Sequence, residues 1–359
     1  VFTPCTIVLI TLLAVLILVI FGVLMVYDAS VIEAFNAFGD KFYFAKLQLR
    51  WVILSLLVMA FTARFSYHKW AKLSLPLFAV SLFLLLIVLI PGIGTKVQGA
   101  RRWLTLGAFT LQPAEIIKLT FAMYLATWLS KRQNFGPFLI LSGLVLGLVI
   151  LEPDLGTAVI ITATGFLVYF LSGANLLAIA ATGFTGVVAG TILVLSSAYR
   201  RARLLTFLNP TADPLGSSYH IRQVLIALGS GGWLGQGLGR SRQKYSYLPE
   251  ATTQSIFSII GEELGFIGAT AVVILLLIVI YKGFKIALAA PDRFGQLLAG
   301  GITGWLGLQI LVNLSAMVAL VPLTGVPLPF ISYGGSSLVT SLAGVGILLN
   351  ISKSSGGKS

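Results

Sequence analysis

Thr6-Ile-Val-Leu-Ile-Thr-Leu-Leu-Ala-Val-Leu-Ile-Leu-Val-Ile-Phe-Gly-Val-Leu-Met-Val26 decides the fold class. The stretch carries no charge. At 1.5 Å rise per residue, about 20 such residues cross the roughly 30 Å of hydrocarbon in a bilayer. It is too long for the apolar core of a signal peptide, and no small-residue cleavage site follows, so it reads as a true span. Similar runs recur near 47–64, 72–91, 114–130, 137–151, 157–172, 175–197, 256–281, 295–321 and 335–351, giving about ten spans with 6–27. The fifth and sixth are short and parted only by Glu152–Gly156, which leaves a bent pair and a tight hairpin both open. Soluble-type β structure has no place in such a chain, and long apolar segments favour helices over a barrel. The expectation is an all-α, polytopic integral membrane protein, a single membrane domain over residues 1–359.

Composition agrees. Apolar residues make up 57% of the 359 and charged residues 10%, against roughly a quarter charged in soluble domains. The single cysteine, Cys5, excludes an internal disulfide and a multi-cysteine metal site. A net charge of +13 needs an anionic counterpart: lipid headgroups, a nucleic acid or an anionic substrate. An even span count puts both termini on one side. If that side is cytoplasmic, its short loops and tails hold Arg64, Lys69, Lys72, Lys131, Arg132, Lys282, Lys285, Arg293, Lys353 and Lys358, as the positive-inside rule requires. The other cations face outward, and seven of them fall in one long extracytoplasmic loop from Tyr199 to Gln254. Long loops translocate largely regardless of charge, so the topology stands. The cluster then points to an anionic ligand on the outer face rather than to a nucleic acid.

Four outer stretches carry the chemistry, the first of them running from Arg101 to Lys118. In Gln112-Pro-Ala-Glu115-Ile-Ile-Lys118, the proline suits a first helical turn, and Glu115 and Lys118 fall at i and i+3 on one face just inside the membrane. An intrahelical ion pair is the plain reading; charges at membrane depth more often mark a site. Arg101-Arg102-Trp103 suits either interfacial anchoring or phosphate binding, since guanidinium groups match phosphate oxygens bidentately. Glu152-Pro153-Asp154 places two carboxylates at the end of the fifth span, where a divalent cation or a basic partner would satisfy them.

The long loop opens with Tyr199-Arg-Arg-Ala-Arg-Leu-Leu-Thr-Phe-Leu208, an amphipathic helix for the interface, ended by Asn209-Pro210. Gly229-Ser-Gly-Gly-Trp-Leu-Gly-Gln-Gly-Leu-Gly239 follows. No strand precedes it and no Gly-Lys-Ser/Thr follows, which excludes a nucleotide-binding loop. It reads as flexible backbone delivering Arg240, Arg242 and Lys244 to one spot. Glu262 and Glu263, about two turns inside the eighth span, either pair with cations or serve the site. Last, Pro322-Leu-Thr-Gly-Val-Pro-Leu-Pro-Phe-Ile-Ser-Tyr333 means broken helix at membrane depth, tolerated only against protein or a water-filled cavity.

Three segments together, RRWLTLGAFTLQPAEIIKL, GLGRSRQKYSYLPEATT…SIFSIIGEELGFIG and PLTGVPLPFISYGGSSL, resemble the hallmark motifs of the SEDS family (shape, elongation, division, sporulation). The likeness runs from about residue 97 to 352 and is closer to the division branch than to the elongation branch. It implies a ten-helix fold with cytoplasmic termini in the bacterial cytoplasmic membrane. It also implies peptidoglycan glycosyltransferase activity on lipid II, a disaccharide-pentapeptide on undecaprenyl pyrophosphate. The acceptor hydroxyl would attack C1 of the donor, with a base for the proton and cations for the leaving pyrophosphate. Arg101, Arg102, Arg242 and Lys244 are the pyrophosphate candidates. Trp103, Glu250, Thr253, Ser332 and Tyr333 complete the expected substrate-binding set, and Glu115 and Lys118 match polar positions of the family's central cavity. A class B penicillin-binding protein transpeptidase and other divisome proteins are the implied partners. Magnesium or manganese beside the pyrophosphate is compatible with the chemistry, with Asp154 and Glu115 as candidate ligands, although no metal motif identifies them.

One position departs from the pattern. Members of the family carry a catalytic aspartate directly after the threonine of the LPEA-x-T segment; here Thr253 is followed by Gln254. A carboxamide hydrogen-bonds but has no usable basicity. The chain is therefore expected to show little or no polymerase activity. With the flanking motifs intact, an introduced substitution is favoured over a natural member that binds without catalysing. Rival readings are a lipid transporter, which broken helices and intramembrane charges also suit, and a non-catalytic scaffold for wall synthesis.

Overall fold

Inside hydrocarbon no water satisfies backbone N–H and C=O groups, so each apolar run closes its own hydrogen bonds as a helix. The structure, a computed structural model, describes residues 4–97, 100–107, 109–195, 198–209, 213, 216, 218–245 and 247–355. The helices are α1 (Pro4–Phe38), α2 (Tyr43–Arg64), α3 (Tyr67–Leu89), α4 (Pro113–Leu129), α5 (Phe135–Leu151) and α6 (Leu155–Leu171). There follow α7 (Leu176–Leu195), α8 (Ala198–Leu208), α9 (Tyr219–Gly231), α10 (Ile256–Ala289), α11 (Arg293–Met317) and α12 (Gly335–Ser355). All but α8 and α9 lie on the apolar runs expected from the sequence. Among the described residues, six of them, α1, α2, α3, α10, α11 and α12, are long and apolar enough to cross a membrane. Helices α5 and α6 are apolar but shorter, at 17 residues each, α7 is apolar over 20 residues, and α4 carries Glu115 and Lys118.

Burial sorts these helices into a centre and a periphery. In α11 and α12, 72% and 89% of the apolar window is buried, against 22–33% in α1, α2, α3 and α10. With α4, whose Ile117, Phe121 and Ala122 are buried, they form the middle of the bundle. The outer helices turn residues such as Leu57, Phe83 and Ile140 outward, which in lipid costs nothing. The fifth and sixth spans form a hairpin rather than one bent helix. Phe138 near the start of α5 stacks on Tyr169 near the end of α6, with centroids 4.4 Å apart.

The fold is mostly helical, as expected, but the expectation that β structure has no place in the chain fails in one connection: β1 (Gly94–Val97), β2 (Ala100–Leu106) and β3 (Phe109–Leu111) make an antiparallel sheet of order β1-β2-β3. This segment connects two helices outside the apolar runs, so the rule against open sheet edges in lipid does not bind it. Threonine and tryptophan suit strands, and a Thr95 Oγ1–Thr105 Oγ1 hydrogen bond of 2.8 Å ties β1 to β2.

The glycine-rich loop, in turn, is a docked element rather than a flexible one. Helix α10 breaks at Gly265 (φ 67°), and the loop closes against the break: Gln236 N and Gly237 N donate to the carbonyls of Glu262 and Glu263 at 2.9 and 3.0 Å. Phe266 N donates back to Gly232 O at 2.8 Å. At Gly235 (φ 81°) a Cβ would sit 2.1 Å from Glu263 O, so only glycine fits.

Candidate functional site

Pro113 opens α4 at its first turn, which sets Glu115 and Lys118 on one buried face, exposed by only 2% and 1%. Lys118 Nζ donates to Glu115 Oε1 and to Gln309 Oε1, each at 2.7 Å, and lies 5.6 Å from the Trp305 ring centroid. Gln309 Oε1 also accepts from Trp305 Nε1 at 3.0 Å. A buried charge is tolerated only when paired and hydrogen-bonded, and this network meets that condition for Lys118. It does not do so for all of Glu115: the Oε2 atom is buried without a partner.

Glu115 lines a cavity of about 180 Å³ together with Arg102, Trp103, Gln112, Asp154, Thr157, Arg203, Glu250, Thr253, Gln254, Thr324, Gly325, Pro327, Tyr333, Gly334 and Ser337. Residues more than 200 positions apart meet here. Arg102 arrives through a β-bulge. Arg101 pairs with Lys96 and Trp103 with Thr95, which leaves Arg102 as the extra residue, and a bulge re-aims a side chain. Its Nε donates to Glu152 O at 2.8 Å and its Nη2 to Pro153 O. Asp154 caps α6, accepting from Thr157 N at 3.1 Å and from Thr157 Oγ1 at 2.9 Å. Glu152, beside it, is fully buried with neither carboxylate oxygen partnered. Burial first, then the Asp154 charge, push its carboxyl up to about 9, against the opposing pull of Arg102.

The loop's last turn forms the opposite wall. Glu250 takes a positive φ of 53°, which lets its carbonyl accept from Thr253 N at 3.2 Å and from Ser255 N at 3.1 Å. Its Oε2 accepts from Thr253 Oγ1 at 2.5 Å. The segment between α11 and α12 is irregular, as expected, and its carbonyls find partners on α11. Asn313 Nδ2 donates to Val326 O at 2.8 Å and to Gln254 O at 2.9 Å, and Gln309 Nε2 donates to Pro327 O at 3.0 Å. Gln254 Oε1 is buried and unpartnered. Gln254 also lines a second, more apolar cavity of about 320 Å³, with Ala202, Arg203, Thr206, Phe207, His220, Ile221 and residues 321–323.

Of the residues expected from the sequence, Arg102, Trp103, Glu115, Glu250, Thr253, Gln254 and Tyr333 line the first cavity. Lys118 lies behind Glu115. Ser332 is buried: its hydroxyl donates to Thr253 O at 2.6 Å and accepts from Leu328 N at 2.8 Å, so it holds the wall together. Arg101 does not line the cavity, since on β2 it stands one residue before the bulge.

Arg242 and Lys244, expected to bind pyrophosphate, do not line it either. Lys244 is buried against α1 and α10, 2.8 Å from Asp28 Oδ1 and 3.2 Å from Glu263 Oε1. Arg242 is exposed, and its backbone N–H donates to Glu262 Oε1 at 3.0 Å. The Glu262 and Glu263 carboxylates thus hold the loop, also accepting from Gly239 N and Ser241 N at 3.0 Å. The reading of the loop as a carrier of three cations to one spot is therefore corrected. Sequence reading missed Arg203, Gln112, Thr157 and Ser337. Arg203 lay in an interfacial helix with nothing to mark it apart from Arg200 and Arg201, whereas Gln112 and Ser337 were inside quoted motifs.

Residues 8–356 match the family described as Cell cycle protein, FTSW_RODA_SPOVE. The chain is 41% identical to "Stage V sporulation protein E" of Bacillus subtilis over 346 residues, covering 94% of each. It is 43% identical to "Probable peptidoglycan glycosyltransferase FtsW" of Trichlorobacter lovleyi over 352 residues, covering 96% of this chain and 92% of that one. Among solved structures, a chain of a peptidoglycan synthase complex that coordinates polymerization and crosslinking superposes with a TM-score of 0.79 at 29% identity, covering 96% of this chain and 97% of that one.

Proposed function

Because the chain belongs to the FtsW/RodA/SpoVE family of cell cycle proteins, we propose that its first cavity is the active site of a peptidoglycan glycosyltransferase that polymerises lipid II during cell division. The chain is a multi-pass protein of the bacterial cytoplasmic membrane. The observation that carries the assignment of the site is convergence. Arg102, Glu115, Glu250 and Gln254, from segments far apart in the chain, line one polar cavity of about 180 Å³.

In the reaction, the acceptor sugar hydroxyl attacks C1 of the donor, and the bond from C1 to the pyrophosphate oxygen breaks. Arg102 and Arg203 replace Arg242 and Lys244 as the cations for the departing charge. Arg102 spends two of its donors on the Glu152 and Pro153 carbonyls, which fixes the guanidinium for what remains. Trp103 and Tyr333 offer flat faces for sugar rings. The donor set suits magnesium or manganese: Glu115 Oε2 is an orphaned buried oxygen, Asp154 lines the same cavity, and magnesium needs one or two carboxylates besides substrate phosphates. When bound, the ion would stabilise charge on the leaving pyrophosphate. A class B penicillin-binding protein transpeptidase, with other divisome proteins, is the proposed partner. The similarity to a chain of a complex that couples polymerization to crosslinking supports it.

Gln254 lowers turnover without emptying the site, because a carboxamide binds as a carboxylate does but takes no proton. General-base catalysis is worth roughly 10²–10⁴-fold. The Gln254→Asp protein is therefore expected to polymerise purified lipid II about 10²-fold faster or more, with KM little changed. Equal rates for the two proteins would remove position 254 from the chemistry.

A further inference from the structure

The second cavity holds an imidazole that no role above uses. His220, on the first turn of α9, faces the same 320 Å³ space as Gln254, and this space shares Gln254 and Arg203 with the polar cavity. Its Nε2 lies 2.8 Å from Ser255 Oγ, on the residue that follows Gln254. The ring is thus tied to the backbone turn that positions residue 254. Resting on the polymerase reading, we propose that His220 is the catalytic base of this chain, accepting the proton of the acceptor sugar hydroxyl beside Gln254.

The chemistry balances without a further reagent. The acceptor oxygen forms its bond to C1 of the donor, and its proton passes to His220 Nδ1. The C1–O bond to the pyrophosphate breaks with the electron pair leaving on oxygen. The imidazolium then returns its proton to water. In the tautomer with Nε2 protonated, Ser255 Oγ accepts from Nε2–H, which orients the ring and keeps the Nδ1 lone pair free.

The surroundings keep the ring neutral and so competent to accept. Burial pulls it down to about 4, Glu250 pulls against this and Arg203 adds to it. The neutral ring can accept a proton, which a carboxamide at 254 cannot, and so sustains a slower reaction than an aspartate there would. Glu250 also stabilises the imidazolium once it forms. A histidine serving only to hold α9 against Ser255 would need none of this access to Gln254.

The test is lipid II polymerisation in detergent by the full chain and by H220Q, Q254D and the double variant. Glutamine at 220 keeps an amide to contact Ser255 and removes basicity, and thermal unfolding reports whether the fold survives. The proposal expects slow but measurable polymerisation by the unaltered chain, and a loss of kcat of about tenfold or more in H220Q with KM within about twofold. It further expects a cost below about threefold for the same change on the Q254D background, where the carboxylate supplies the base. An equal cost on both backgrounds overturns the proposal and makes His220 structural. No product from the unaltered chain, with active Q254D, also overturns it and leaves the polymerase reading intact. No product from either protein overturns both.

Discussion

Glu152 has no exposure and no hydrogen bond to either carboxylate oxygen, a placement a carboxylate reaches only by holding a proton. Its folded value of about 9 lies above the ordinary 4.5. Between those limits the folded chain binds a proton that the unfolded chain has released, so stability falls as pH rises. The neutral group's contribution is complete below about 4.5 and is lost as pH approaches 9. Glu152→Gln, which keeps the shape and removes the titration, is expected to be more stable than the parent by at least about 1 kcal/mol at pH 8. The gain should shrink towards pH 5. Thermal unfolding of both proteins across that range checks this, and a pH-independent difference would show that Glu152 is already charged. The position also bears on the site, since the carbonyls of Glu152 and Pro153 hold Arg102.

Elements matter here chiefly through their interruptions. A β-bulge aims Arg102, a break at Gly265 receives the glycine-rich loop, and an irregular segment after α11 forms the wall against Gln254. Each exposes backbone groups that a neighbour must satisfy, and α11 does so through the Gln309 and Asn313 amides, one turn apart. In the loop, Lys244 plays the corresponding part, bridging Asp28 of α1 and Glu263 of α10. Removing one partner of a buried ion pair leaves charge behind and costs about 3–5 kcal/mol. Lys244→Met is therefore expected to lower stability by about that amount, while the KM for lipid II in the folded fraction stays within about twofold. A stable variant with a raised KM would return Lys244 to the substrate. Those interruptions were partly legible. Pro322, Pro327 and Pro329 announced broken helix, and eleven residues rich in glycine announced an irregular loop. Composition does not reveal that the loop is docked, because the acceptors that hold it are the Glu262 and Glu263 carboxylates of another element.

At the scale of the whole molecule, solvent sets the architecture, and charge sets its direction across the membrane. Lys285, near the end of α10, and Arg293, which opens α11, lie at one end, while the cavity and the long loop share the other, where lipid-linked donors would be polymerised. After replacing the single Cys5 with serine, Tyr245→Cys is expected to react with a membrane-impermeant maleimide in intact cells. Lys285→Cys, also at an exposed position, should react only after permeabilisation. The opposite pattern would invert the topology and detach the cavity from an outer-leaflet substrate. By itself the sequence determined that the chain lives in lipid, where its helices run, and which motifs carry charge. These are properties of short windows read against one solvent. Only the tertiary structure decided which charges meet. Arg102 reaches the cavity through an extra residue in a strand, and Arg203 reaches it from an interfacial helix. Lys244 is withheld from it by Asp28, 216 positions away. The reason is physical: a cation is available to a substrate only if no buried carboxylate already neutralises it, and that pairing exists only once distant segments are packed together.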